Sequence, residues 1–317
     1  MARTRGRGWV RRVTELAAVS TFVQIVLGAG VRTSSSGLGC GEQWPVCRNS
    51  FAPPVGVHPL VEYMHRVVGS LTGLFIVALC ILAWWGRDWM SREARPYATI
   101  AVGLVALEGA LGGLAVLFDL PDWLVAVHLL VALVILALLL GLRMLEREHV
   151  AEWQATRGQR VLAWGILGWT FVVLATGALV TATGATEYCA GWPFCASGAR
   201  ALGDPLAVLQ LMHRAAAGVL AGLLLWLACA GWRVVGREAL MRRVTWFLGG
   251  VVVVQVLIGA GLGLLDQPDL LQGIHVALAT TVWSAVVVWA ALVRKPEISH
   301  AASGTQLAME HGGAAKN

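Results

Sequence analysis

Eight long apolar runs decide what this chain can fold into. They cover residues 13–32, 61–85, 96–117, 122–142, 161–182, 206–230, 243–265 and 270–293. A helix needs about 20 apolar residues to cross a bilayer, and each run reaches that length. Only 13% of the 317 residues are charged, whereas soluble proteins carry roughly 25%. The sequence therefore predicts an all-α integral membrane protein with eight transmembrane helices in a lipid bilayer.

The two ends of the chain differ from the apolar runs. The basic segment 1–12 precedes the first run as it would in a signal peptide, but no small-residue cleavage site follows. We therefore expect the first run to remain as a permanent helix. Residues 294–317 show no periodic apolar pattern, so we expect a disordered cytoplasmic tail.

The positive charges predict the orientation of the chain. Of the 24 Lys and Arg residues, 19 lie before the first run, around the loops after the second, fourth and sixth runs, or after the eighth. Because such cationic segments stay inside, both termini are expected to be cytoplasmic in the cell (inner, or cytoplasmic) membrane. Their place between apolar runs indicates topology and argues against a nucleic-acid partner.

The sequence repeats itself once. Cys47 and Cys195 each end a Trp-Pro-x-Cys motif and are 148 residues apart, as are the His-Arg pairs 65–66 and 213–214. The Gly-rich runs EGALGGL and IGAGLGL (108–114 and 258–264) also correspond. Four helices return the chain to the side where it began, so the halves are expected to be parallel repeats. A pseudo-two-fold axis along the membrane normal would relate them.

The repeat predicts the domain organisation. Residues 13–142 would form a first four-helix bundle and residues 161–293 a second, joined by a cytoplasmic linker at 143–160. The Gly-rich third helix of each half permits close helix packing or leaves room beside a flat ligand.

Four histidines lie inside predicted helices, one or two turns from their outer ends. They are His65 and His128 in the first half and His213 and His275 in the second. His128 and His275 are 147 residues apart. Two neutral imidazoles that face each other across a bundle form an axial pair for haem iron. A single such histidine would more often hydrogen-bond a neighbouring helix, but two pairs in register favour haem. Zinc is a weaker alternative, because structural zinc prefers four ligands.

Charged residues beside the histidines suggest a division of labour. Arg66 and Arg214 each follow a histidine, where a guanidinium can pair with haem propionates or extend to the membrane surface. Glu62 lies one turn before His65 on the same face, where the second half has Gln210. A carboxylate near a haem edge can move protons or stabilise positive charge, so the first half is predicted to be catalytic. The alternative is a water-exposed glutamate at the start of the helix.

The cysteines predict two disulfides on the outer side of the membrane, where such bonds are permitted. The pairs Cys40–Cys47 and Cys189–Cys195 enclose loops short enough to close if a turn brings their Cα atoms within about 7 Å. Whether they brace the loops or exchange electrons is open at this point. Cys80 and Cys229 fall inside helices and are expected to be buried.

The motifs GLGCGEQWPVC, EYMHR, WLVAVH, CAGWPFC, LMHR and LQGIHVAL together resemble those of the haem A synthase family, over roughly residues 13–293. The resemblance implies eight helices in two four-helix bundles. It implies that haem O binds as substrate between His65 and His128. It also implies that haem b binds as cofactor between His213 and His275.

The resemblance further implies the reaction and the partners. The family oxidises the C8 methyl group of haem O to a formyl group, which gives haem A for cytochrome oxidase. Glu62 matches the glutamate of the family's E-x-x-H-R motif, which is implicated in catalysis. Haem O synthase, the cytochrome oxidase assembly machinery and an unknown electron donor are the implied partners. Cysteine pairs occur in only part of the family.

Three other functions stay open from the residues alone. A dihaem cytochrome would only transfer electrons, and it would have no obvious use for a difference between Glu62 and Gln210. A membrane disulfide oxidoreductase would use the two outer cysteine pairs with a quinone, and it would not need four intramembrane histidines. A haem transporter would release its haem unchanged.

Overall fold

A computed structural model of the chain describes residues 2–51, 55–86, 89–146, 155–234 and 239–293, with the backbone alone at 2–5 and 231–234. Its eight long helices are all long and apolar enough to cross a membrane. They are α1 (Ala2–Thr33), α2 (Val57–Trp85), α3 (Ala94–Leu117), α4 (Asp122–Leu145), α5 (Arg157–Ala182), α6 (Pro205–Val234), α7 (Ala239–Leu264) and α8 (Asp269–Leu292). The predicted all-α fold with eight apolar helices is confirmed. The predicted tail at 294–317 lies outside the described residues.

Local sequence explains several helix ends. Helix α1 begins at Ala2 and so continues back through the basic segment, because arginine is a good helix former. Gly56 precedes α2 with φ of 110°, a conformation that favours glycine. Helix α5 begins with a capping box, in which Thr156 and Gln159 satisfy each other's backbone N–H groups.

The turns before α4 and α8 share one backbone geometry. Asp119 and Leu120 have φ of 56° and 58°, and Asp266 and Gln267 have φ of 58° and 57°. Equivalent positions are 147 residues apart, and a proline follows in both turns. The internal repeat is therefore visible in local structure, while the axis relating the halves stays a prediction.

Each set of four consecutive helices packs as a closed ring. In the first ring α1 contacts α2 and α4, and α3 contacts α2 and α4; α5 to α8 pack in the same order. The rings meet where α4 contacts α5 and α8, and where α1 contacts α8. Trp283 of α8 donates a hydrogen bond of 2.9 Å to the carbonyl oxygen of Leu133 in α4. This bond links the two rings deep in the core.

Burial differs between the inner and outer faces of the helices. Leucines of α4 such as Leu136 and Leu139 are fully buried, whereas Leu74 and Leu257 point outward and are 64% exposed. Apolar outer faces are what lipid contact requires. Cys80 is half-buried and Cys229 is exposed. The expectation that Cys229 is buried was wrong, because that position falls on the outer face of α6, where a thiol is apolar enough to face lipid.

Candidate functional site

The four predicted histidines form two pairs. His65 on α2 and His128 on α4 belong to the first ring of helices, and His213 on α6 and His275 on α8 belong to the second. Each pair joins alternate helices of one ring, which is the arrangement that two axial ligands need. No three His, Cys, Asp or Glu side chains within the described ranges converge on one point. The arrangement therefore differs from a zinc site with four protein ligands.

Each imidazole packs against a glycine of the preceding helix. If any of these glycines carried a Cβ atom, that atom would lie in contact with the imidazole ring or too close to it. The distances from that Cβ to the ring are 2.9 Å for Gly177 at His213, 3.1 Å for Gly28 at His65, 3.2 Å for Gly259 at His275 and 3.5 Å for Gly112 at His128. The missing side chains let the rings lie against the backbone. The sequence drew attention to the glycines of α3 and α7 but missed Gly28 and Gly177.

Each ring also has a polar partner on that same preceding helix. The partners are Gln24 Nε2, 3.2 Å from Nε2 of His65; the Glu108 carboxylate, in contact with Nδ1 of His128; Thr176 Oγ1, 3.1 Å from Nδ1 of His213; and Gln255 Nε2, 3.3 Å from Nε2 of His275. None of these four partners is predicted from the sequence. A polar residue one helix away from a histidine leaves no signal in local spacing.

Buried polar atoms without a hydrogen-bond partner among the described residues gather around these rings. They include Gln24 Oε1, His65 Nδ1, Glu108 Oε1, Gln210 Oε1, Gln255 Oε1 and His275 Nδ1. An unsatisfied buried polar group costs about 1–3 kcal/mol, so such a concentration is typical of a site that is completed by a ligand. Two imidazoles per ring, backed by glycine, fit a flat iron-bearing group.

Glu62 is buried beside the first pair. Its side chain is 3% exposed, its Oε2 accepts a 2.7 Å hydrogen bond from the Cys40 N–H, and its Oε1 accepts one from Arg66. It is therefore not a water-exposed residue at the start of the helix. Gln210 is buried to a similar depth in the second half. The two halves differ here in charge and not in burial.

Both disulfides are present. The Cα atoms are 4.6 Å apart in Cys40–Cys47 and in Cys189–Cys195. Each loop also contacts a Gly-rich helix. Trp44 packs on Gly113 of α3, and Gly191 donates a 2.9 Å hydrogen bond to the Gly263 carbonyl of α7. The loops therefore cover one end of each ring.

Arg66 and Arg214 donate hydrogen bonds to backbone carbonyl groups of these loops. Arg66 donates to the carbonyl oxygens of Gln43 and Val46 at 2.7 and 2.9 Å. Arg214 donates to those of Gly191 and Cys189 at 2.8 and 2.9 Å. The predicted contact of both guanidinium groups with haem propionates stays a prediction, since in this structure their partners are backbone carbonyls and, for Arg66, the Glu62 carboxylate.

A profile of the COX15-CtaA family, described as cytochrome oxidase assembly protein, matches residues 56–287. The chain belongs to this family. It is 34% identical to a protein of Symbiobacterium thermophilum named Heme A synthase, over 87% of this chain and 92% of that protein. A protein of the same name from Geobacillus thermodenitrificans is 30% identical, over 71% of each chain. Another, from Exiguobacterium sibiricum, is 32% identical over 66% of this chain and 72% of its own.

The region matched to the COX15-CtaA family contains most of the site. It begins next to α2 and ends inside α8, so it contains all four histidines, Glu62 and the second disulfide loop. Helix α1 and the first disulfide lie before it. The resemblance drawn from the sequence motifs is confirmed at the level of the family.

Proposed function

We propose that this chain is a haem A synthase, an oxidoreductase that converts haem O to haem A for cytochrome oxidase. The observation that carries the proposal is a pair of glycine-backed histidines in each ring of a COX15-CtaA family member. Oxidation of the C8 methyl group to a formyl group takes up one water and releases four electrons and four protons. The reaction therefore needs an external oxidant that accepts these electrons and a route for protons.

In this proposal the two pairs have different ligands. Haem O binds as substrate between His65 and His128, and haem b binds as resident cofactor between His213 and His275. When bound, haem b supplies an iron that changes oxidation state by one electron. The imidazoles hold each iron, the glycines let the rings lie close to the helix backbone, and the disulfide loops limit water at one end.

Glu62 supports the assignment of chemistry to the first ring. A carboxylate buried one turn from His65 is placed to accept protons or to stabilise positive charge that develops at the substrate. Arg66 and the Cys40 N–H hold it in place. Gln210, at the matching position, has no charge with which to do so.

The cellular setting follows from the same proposal. Residues 13–142 form the substrate half and residues 161–293 the haem b half, with both termini in the cytoplasm of a cell-membrane protein and the cysteine loops outside. Haem O synthase supplies the substrate and the cytochrome oxidase assembly machinery takes the product. An oxidant that accepts the released electrons and the electron donor that the family resemblance implies complete the set of partners.

The test is to coexpress the chain with a haem O synthase in a host that makes no haem A. Extracted haems are separated by chromatography and weighed, with the host carrying haem O synthase alone as control. We expect a new haem whose mass matches conversion of methyl to formyl. Unmodified haem with a low-spin spectrum would favour an electron-transfer cytochrome, and its release into the medium a transporter. A protein without haem would favour a disulfide oxidoreductase.

A further inference from the structure

Glu108 is a second buried carboxylate in the first ring. It lies on α3, is 9% exposed, and its Oε2 contacts Nδ1 of His128 on α4. Its other oxygen has no hydrogen-bond partner among the described side chains and backbone. A carboxylate in this position is not needed to pack α3 against α4, because a neutral residue would avoid the cost of burying charge.

The second ring has a glutamine at the equivalent place. Glu108 and Gln255 are 147 residues apart, the same separation as between His128 and His275. Gln255 lies against His275 from the matching helix, but at the other ring nitrogen: Nε2 of its amide is 3.3 Å from Nε2 of His275, whereas Glu108 meets Nδ1 of His128. The contacts therefore correct the earlier alignment of the Gly-rich runs at 108–114 and 258–264 by three residues.

In the corrected register, a glutamate of the first half corresponds to a glutamine of the second half at two positions. Glu62 corresponds to Gln210, and Glu108 corresponds to Gln255. Both carboxylates are buried in the first ring, and both amides are buried or half-buried in the second. The first histidine pair has two neighbouring carboxyl groups, where the second pair has two amides of nearly the same shape.

A carboxylate at Nδ1 has a defined effect on a histidine ligand. It accepts the Nδ1–H, so the lone pair on Nε2 is left free for a metal, and it makes the ring a stronger electron donor. A neutral amide has less effect on the ring. Electron donation by the axial ligand and hydrogen bonding around it are two of the means by which a protein sets a haem potential.

We propose that Glu108 is a positioning residue of the substrate site, which presents Nε2 of His128 to iron and lowers the reduction potential of haem bound there relative to haem at the second pair. The proposal rests on the proposed function, because it requires haem between His65 and His128. A more electron-donating ligand stabilises the ferric state, so the substrate haem gives up electrons more readily than its neutral-ligand counterpart.

The test exchanges the two residues one at a time in the full-length protein, purified with its bound haem and loaded with haem O. Midpoint potentials are measured by redox titration of the visible spectrum, and a His275→Ala variant assigns the two midpoints to their sites. Glu108→Gln should raise only the first midpoint, and Gln255→Glu should lower only the second. Each change should alter the ferric-to-ferrous ratio at a fixed potential about tenfold, which is ~59 mV for one electron.

Glu187→Gln is the control, because Glu187 is an exposed carboxylate outside the first ring. It should leave both midpoints unchanged. Electron paramagnetic resonance of the ferric haems gives a second readout, since its g values respond to the charge of the axial imidazole. A change in g values at the altered site alone supports the proposal, whereas a role in helix packing would not produce it.

The outcomes separate the two proposals. A wild-type protein that binds no haem at the first pair contradicts the proposed function, whatever Glu108 does. A wild-type protein that makes haem A, with both exchange variants leaving the potentials and g values unchanged, overturns the role of Glu108 alone. If Glu108→Gln fails to fold, the Gln255→Glu variant decides: a lowered second midpoint supports the proposal, and an unchanged one contradicts it.

Discussion

Glu62 accepts hydrogen bonds through both carboxylate oxygens. A substitution can therefore remove its charge and still keep one of the bonds that hold the side chain in position. In Glu62→Gln the amide oxygen still accepts from the Cys40 N–H, while Arg66 keeps its backbone carbonyl partners. We expect haem binding to persist and haem A production to fall by about 10²-fold or more, the usual effect of losing an acid–base group. Extracted haem A, weighed against total haem, is the measurement.

Gln210→Glu is the matched control for Glu62→Gln. It places a carboxylate at the same depth in the second ring, where we assign no proton chemistry, so haem A production should continue. If the Glu62→Gln variant made haem A at the wild-type rate, Glu62 would have no catalytic role and its carboxylate would serve the first disulfide loop only.

The glycines behind the histidines predict a graded series. A Cβ at Gly177 would lie 2.9 Å from the His213 ring, which must then move, whereas at Gly112 the 3.5 Å distance to His128 is an ordinary contact. Gly177→Ala should therefore lose most of the haem from the second pair, and Gly112→Ala should keep its site. Bound haem per protein and the low-spin absorbance are the measurements. Equal haem contents in the two variants would contradict this role for the glycines.

The sequence predicted only part of this site at the residue scale. The four histidines and Glu62 stand out because ionisable side chains are rare in apolar helices. Glu108 is just as ionisable, but it begins a Gly-rich run whose counterpart was aligned three residues away, so its match to Gln255 was hidden. Gly28 and Gln24 act on His65 from another helix, and local spacing carries no information about that contact.

At the scale of elements, each disulfide loop depends on an arginine of the following helix. Arg214 reaches two or more loop carbonyls at once because its guanidinium is a planar fork, which the single ammonium of lysine does not reproduce. Arg214→Lys should loosen the loop and speed exchange of the Gly191 and Ala196 amides about tenfold or more, since hydrogen bonds to charged groups contribute roughly 1.5–3 kcal/mol. Hydrogen exchange monitored by mass spectrometry measures this.

Arg200→Lys serves as the control for Arg214→Lys, because Arg200 is exposed on the outer part of the same connection. Its substitution should leave exchange in the loop unchanged. Unchanged exchange in Arg214→Lys as well would show that the disulfide and the Gly191–Gly263 hydrogen bond suffice to hold the loop.

The helices could be predicted from the length of the apolar runs, and the cysteine pairs from the spacing of the cysteines. The arginine contacts that support the disulfide loops could not be predicted. Arg66 and Arg214 bind backbone carbonyl groups, which every residue possesses, so no residue type at 43, 46, 189 or 191 signals the contact. The sequence therefore suggested a propionate or the membrane surface as the partner of each arginine.

At the scale of the whole molecule, the charge distribution predicts one orientation in the membrane. Reporter domains fused to either terminus should be active only in the cytoplasm. After reduction, a thiol reagent that does not cross membranes should label Cys47 and Cys195 in intact cells or spheroplasts, while Cys80 should react only after the membrane is dissolved. Labelling of the loop cysteines solely in inverted vesicles would reverse the predicted topology.

The contacts between the two rings are matched in pairs. Helix α1 contacts α8 as α5 contacts α4, and α4 and α8, which occupy the same place in their rings, contact each other. This is the pattern of a surface that pairs with a copy of itself. In a dimer of identical chains every residue occurs twice, so a carboxylate that benefits one pocket is imposed on the other as well. Joining both units in one polypeptide removes that constraint, so the first ring can carry glutamates at two positions where the second carries glutamines.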